Sequence, residues 1–276
     1  MPLPLIAVGA LIAGGAVADA FRGANESMKI DERAKRKFAR AYERQAEANA
    51  LVKKKNEEAD AALRKVINRK RGILASSMKD FLTLYEKIIK IDFLESQGMK
   101  ELHGNIITAN GLKSMQGMVA VAMRPMTDMQ LIGTFLGGGG GVGIGHAMIE
   151  DSKRNLSQAN KQLRAADVVY SQAENLSSII DIMIQRSNQM AGLLAQLNLL
   201  FIKSIKHTNQ IIDQNGFDRN NYTQDDRKAL MTCMNTASAI KKIIDVPLID
   251  RQGQLAKETM EAINIGNQFL NKLKMI

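Results

Sequence analysis

The sequence predicts an all-α fold, an elongated helical bundle with coiled-coil seams. Three observations predict it. The 276 residues include only four prolines, Pro2, Pro4, Pro125 and Pro247, and long intervals lack glycine as well. Such intervals favour long helices and argue against a strand-rich fold. Apolar residues recur at alternating three- and four-residue spacing over many turns, which keeps them on one helix face. The apolar complement is mostly Ala, Leu, Ile and Met, with no Trp and 4% aromatic residues.

Residues 1–21 form an apolar, small-residue segment. Pro2 to Ala18 carries no charged side chain. Leu5, Ile6 and Leu11 supply apolar bulk, and Ala10, Gly14 and Ala18 form a small-xxx-small row suited to close helix approach in lipid. The segment reads as a membrane anchor. A secretory signal would carry a basic stretch ahead of its apolar core, and this one does not, so the segment is expected to be retained, with cleavage after the small residues Ala16-Val17-Ala18 as the alternative. Arg22, Lys29, Arg33, Lys35, Arg36, Lys37 and Arg40 follow it. Positive charge on that side favours holding the rest of the chain at the cytoplasmic face of a membrane over secretion.

Residues 22–111 form a basic long-helix region. Between about Met28 and Gly72 the chain is rich in Ala, Glu, Lys and Arg, all strong helix formers. Ala34, Phe38, Ala41, Gln45, Ala48, Val52, Lys55, Ala59, Ala62 and Val66 form a heptad-like seam made mostly of alanine. Two basic clusters lie on this helix, Lys53-Lys54-Lys55 and Arg69-Lys70-Arg71. They are candidate contacts for an anionic surface, and their plainer reading is a solvated helix face. A more apolar helix is expected from Ile73 to Phe93, with Ile73, Leu74, Met78, Phe81, Leu82, Leu84, Tyr85, Ile88 and Ile89 as core.

Residues 112–149 form a methionine-rich and glycine-rich hydrophobic element. Met115, Met118, Met123, Met126 and Met129 lead into it; methionines recur at surfaces that repack and equally fill ordinary cores. From Met129 to Ile149 there is no Asp, Glu, Lys or Arg. Gly133, Gly137, Gly141 and Gly145 fall four apart and share one face if the segment is helical. Leu131, Ile132, Phe135, Leu136, Val142 and Ile144 make up the rest of the apolar surface. In water such a helix is poor, because each Gly costs about 1 kcal/mol against Ala. In a bilayer the glycine row admits a second helix backbone to backbone. Twenty-one residues span roughly 31 Å as a helix, about the thickness of a hydrocarbon core. The competing reading is a flexible turn between two helices. A dinucleotide loop fails because no strand-like run precedes Gly138 and a phosphate-binding Lys is missing after Gly145.

Residues 150–276 continue the same bundle. A single long helix is expected from Glu150 to about Asn215, with Gly192 its one glycine. Its seam runs through Ile149, Leu156, Leu163 and Tyr170, shifts register near Ala173, and continues through Leu176, Ile180, Met183, Met190, Leu194, Leu197 and Phe201. Leu193 to Ile202 is apolar on most sides and should be enclosed by several helices. Gln214 to Tyr222 reads as a loop. Thr223 with Asp226 three later marks a capping-box start for a helix ending near Asp245. A last helix is expected from about Asp250 to Lys274.

No catalytic or metal constellation is present in the sequence. His103, His146 and His207 lie far apart, and there is no C-x-x-C, G-x-S-x-G or H-E-x-x-H. Cys233 cannot form an internal disulfide and reads as a core thiol. No enzymatic activity, cofactor or small-molecule substrate is expected. The net charge of +10 suits an anionic partner.

Long helices joined to apolar, glycine-rich elements give a layout that resembles the α-pore-forming toxins and helical glycine-zipper membrane-permeabilising proteins. The likeness is carried by that layout and by Gly133, Gly137, Gly141 and Gly145. It implies insertion into a bilayer and homo-oligomerisation there, with a pore or remodelled membrane as the result. The missing signal peptide and the basic helix after the N-terminal segment depart from the secreted toxins. They point to a membrane of the protein's own cell, with an anionic bilayer as the main partner and a partner protein on the coiled-coil seams as another. The alternatives are a soluble coiled-coil assembly protein with a glycine hinge, and a basic helical nucleic-acid-binding protein. Scarce aromatics weaken the last, since single strands are held by stacking.

Overall fold

The computed structural model describes residues 32–91, 107–137, 165–249 and 256–274. The helices among them, in order, are α1 (Glu32–Ile73), α2 (Lys79–Ile88), α3 (Ala109–Ala122), α4 (Asp128–Phe135), α5 (Ala165–Asn215), α6 (Gln224–Asp245) and α7 (Glu258–Lys274). No strand occurs among the described residues. The all-α expectation holds. The N-terminal segment and the part of the glycine element beyond Gly137 lie outside the described residues.

α1 and α2 are not separate helices meeting at Gly72. A π-helical stretch, Leu74–Met78, joins them without a break. Two serines account for it locally. Ser76 Oγ donates to Gly72 O at 2.7 Å and Ser77 Oγ to Ile73 O at 3.3 Å, so hydroxyls compete for carbonyls the α-helical amides would use. Ser77, fully buried, also bonds Asn198 on α5. Most of the expected core of this region is buried, namely Ile73, Leu74, Met78, Phe81, Leu84, Tyr85 and Ile88, but Leu82 is only half-buried and Ile89, at the end of α2, is exposed.

The chain divides into two compact units. Of the described residues, the first takes those up to Arg64, Asp128–Asn188 and Leu248–Ala256. Its core includes Ala48, Val52 and Ala173, against which Tyr170 and Leu176 pack. The expected seam is the buried face of α1 here, with Gln45, Ala48, Val52, Ala59 and Ala62 buried. On α5 the seam residues Ala173, Ile180 and Met183 are buried too. Polar links sit at the margins: Lys55 Nζ to Asp181 at 2.6 Å, Arg64 to Asp60 at 3.1 Å, and the Arg44 guanidinium 5.6 Å from the Tyr170 ring centroid.

The second unit takes Lys65–Thr127, Gln189–Pro247 and Lys257–Ile276. α3 packs on the π-helical stretch and on α2, and α6 packs on α7. The Phe81 ring lies 5.5 Å from that of Phe201 and 5.9 Å from that of Tyr85, centroid to centroid. Met190, Leu194, Leu197 and Phe201 continue the buried seam of α5. Leu193–Ile202 is not enclosed all round, however. Leu199 and Ile202 are 58% and 48% exposed, because the elements packed on α5 cover only one side of it there.

α5 ends as the sequence indicates. Gly216 adopts φ 67° and its amide bonds Ile212 O at 2.8 Å, the left-handed helix stop that suits glycine. The capping box at Thr223 is present: Thr223 Oγ1 accepts from Asp226 N, and Asp226 Oδ2 accepts from Thr223 N. Those bonds, with the one from the Thr223 hydroxyl foremost, hold the Asp226 carboxyl below its usual range. α7 begins at Glu258, later than expected. Past Pro247, the Leu248 and Ile249 amides bond Leu136 O at 2.8 and 3.2 Å instead of entering a helix.

Candidate functional site

The expected membrane element, residues 112–149, takes in most of α3, and its charge-free, glycine-rich run starts in α4. Asp128 opens α4, where a carboxylate suits the positive end of the helix dipole, and receives Arg64 Nη2 at 3.4 Å. Within α4, Ile132, Gly133 and Phe135 are buried, as is Leu136 just after it, while Leu131 is half-buried. Helix α4 stops at Phe135, so Gly133 and Gly137 do not sit on one continuous helix face. The local cause is the Leu136 carbonyl, which takes two amides from Leu248 and Ile249. Gly141, Gly145, Val142 and Ile144 lie outside the described residues, as do Leu5, Ile6, Ala10, Leu11, Gly14 and Ala18. Among the described residues no helix is long and apolar enough to cross a membrane.

The basic clusters separate into different environments. Lys53 and Lys54 are exposed on α1. Lys55, half-buried, is held between Asp181 and Glu58 at 2.6 and 3.2 Å, and those bonds, Asp181 foremost, raise its pKa. Arg69 is exposed. Arg71 is half-buried and caps a helix: Nε donates to Ala122 O and Nη2 to Arg124 O, at 2.9 and 3.0 Å. These are the unfilled carbonyls at the end of α3.

Lys70 does not reach the surface; at 1% exposure it is one of the most deeply buried side chains of the second unit. Its Nζ donates to Ile244 O and Val246 O, each at 2.9 Å, where α6 ends. Adjacent residues of α1 thus cap two other helices. Burial pushes the Lys70 ammonium down to about 7, with Asp245 opposing the shift. The sequence carried a signal for this. Leu63, Val66, Ile67, Lys70, Ile73 and Leu74 follow the three-and-four spacing of a buried face, and all are buried. As a contact for anionic surfaces, the second cluster reduces to Arg69, and the first to Lys53 and Lys54.

Two further expectations are placed. Cys233 is a fully buried thiol whose pKa burial raises to about 11, which suits a core residue and not a nucleophile. Met115 is core, whereas Met123 and Met129 are about half exposed. Among the described residues no group of His, Cys, Asp and Glu could hold a metal ion. Compared with known proteins, the chain matches no family model, no curated protein and no solved structure.

Proposed function

We propose that this protein is a non-enzymatic, membrane-acting helical protein. It works at the cytoplasmic face of an anionic bilayer, inserting the glycine-rich segment and self-associating through it to permeabilise or remodel the membrane. The observation that carries the reading is the charge-free run from Met129 to Ile149 with glycine at every fourth position from Gly133 to Gly145. The burial of Ile132, Phe135 and Leu136 fits a stowed form, in which the start of that run is kept from water. Lys53, Lys54 and Arg69 are the exposed cations of the two clusters, available to an anionic headgroup layer.

One observation favours a second reading, a soluble assembly protein with a glycine hinge. Helix α4 ends before the ladder, and its apolar residues already have a core to occupy. Liposome flotation combined with dye leakage separates the two. The membrane reading expects flotation with anionic vesicles, and leakage that falls when Gly137→Leu and Gly141→Leu are combined while flotation persists. Absence of flotation, or leakage unaffected by those substitutions, overturns it.

A further inference from the structure

The open face of the α6–α7 pair has an unusual regularity. The two helices enclose a groove of about 460 Å³, and each lines it with one stripe. The stripes run from Asn235 along α6 to Val246 just past its end, and from Glu258 to Phe269 on α7, and both follow the spacing three, one, three, one, three. Each stripe is about 16 Å long, three turns of one helix face. Thr259 Oγ1 donates to Pro247 O at 2.9 Å, tying the start of α7 to the end of α6, so the stripes run antiparallel. Ile265, on the α7 wall, is 58% exposed.

The charges on the two walls are opposite. The α6 wall carries Lys242 and the α7 wall carries Glu258 and Glu261. The bulk is opposite as well: α7 presents Ile265 and Phe269, where α6 presents Ser238 and Ala239. A two-fold axis along the groove lays α6 of one copy against α7 of the other. That operation sets the cation of each copy over the carboxylates of its mate, and the bulky residues of each over the small ones. A surface complementary to itself under a two-fold axis is what an isologous dimer requires.

We propose that the α6–α7 groove is the interface of a homodimer, its occupant being the same groove of a second copy. The pairing forms a four-helix contact with an apolar centre at Val246, Ile265 and Phe269, over the already buried Ile243, and a charged rim at Lys242, Glu258 and Glu261. It goes beyond the membrane reading and does not depend on it.

Sedimentation velocity of the full chain without detergent, over a wide concentration series, tests it. The wild type should dimerise. Ile265→Glu should raise the dimer dissociation constant by at least about tenfold, since a charge enters the apolar centre twice. An unchanged circular-dichroism melt shows that the exposed position was not needed for folding. Lys242→Glu alone, and Glu258→Lys with Glu261→Lys, should each weaken self-association. Mixed together, those two chains should pair with each other in preference to themselves. Gly137→Leu with Gly141→Leu should leave the dimer intact, which separates this interface from the membrane one. A monomeric wild type, a dimer indifferent to Ile265→Glu, or no preferential pairing of the mixed chains overturns the proposal.

Discussion

Along α1 the buried face changes character. In the first unit its buried positions are Gln45, Ala48, Val52, Asn56, Ala59, Ala62 and Leu63. In the second they are Val66, Ile67, Lys70, Ile73, then Leu74 and Met78 within the π-helical stretch, and Phe81 past it. Small residues bring helices close but remove little apolar area from water, and burial contributes only about 25 cal/mol per Å². The first region therefore relies on many small contacts and on polar links such as Lys55 with Asp181. The second has ring contacts and branched aliphatics, enough to hold a lysine with almost no exposure. One helix can thus supply a lightly held stretch and a firmly packed one, by changing side-chain volume while keeping its spacing.

The largest test of that difference is truncation. Phe81→Ala removes a fully buried ring in contact with Tyr85 and Phe201 and should cost about 3–5 kcal/mol. Ala48→Gly, in the first unit, should cost about 1 kcal/mol in helix propensity and about 0.8 kcal/mol for the lost methyl. Urea unfolding followed by circular dichroism measures both. Equal losses would remove the distinction between the two stretches.

Lys70 sharpens the comparison through pH. Its folded pKa lies below the unfolded value of 10.5, at about 7. Between those values the unfolded chain binds more protons, so stability should rise as pH is raised from 7 towards 10.5, by at most about 1.4 kcal/mol per pH unit. Below pH 7 both states are protonated and the buried cation costs its full amount. Lys70→Met should flatten the profile in that window, and an unaltered slope would assign the pH dependence to other groups.

The smallest expected effect concerns two glycines of the second unit. A Cβ at Gly192 meets nothing within 4 Å, so Gly192→Ala should stabilise by about 1 kcal/mol. At Gly266 a Cβ would fall 2.5 Å from Leu193 Cδ2 and 2.9 Å from Ile243 Cδ1. Those side chains must yield, and Gly266→Ala should show none of the gain. Similar gains at both sites would mean that packing around α7 is looser than its geometry.

Local patterns were legible wherever one short-range rule decided the outcome. The seams of α1 and α5, the loop after Asn215, the Thr223–Asp226 box and the buried Cys233 all follow from spacing or capping chemistry. What escaped depended on distant partners. Lys70 falls on a buried face by spacing alone, but what its ammonium bonds there appears only when the end of α6 supplies two carbonyls. Leu199 and Ile202 look enclosed until the neighbours of α5 leave one side open. The stretch after Pro247 looks like a plain approach to the last helix, yet Leu136, more than a hundred positions earlier in the chain, takes the amides of Leu248 and Ile249. The glycine ladder is legible only as a composition, and beyond Gly137 it lies outside the described residues.

That carbonyl of Leu136 also bears on the proposed insertion. Leu248 and Ile249 are fully buried, and their amides have an acceptor at the very threshold of the glycine-rich run. Under the proposed insertion, withdrawal of Leu136 with the run strips both amides of their acceptor at the same moment. Their deuterium uptake is therefore a native reporter of release, carried by a distant part of the chain, and it needs no label and no substitution. An exchange time course with and without vesicles would time departure of the apolar segment independently of any leakage signal.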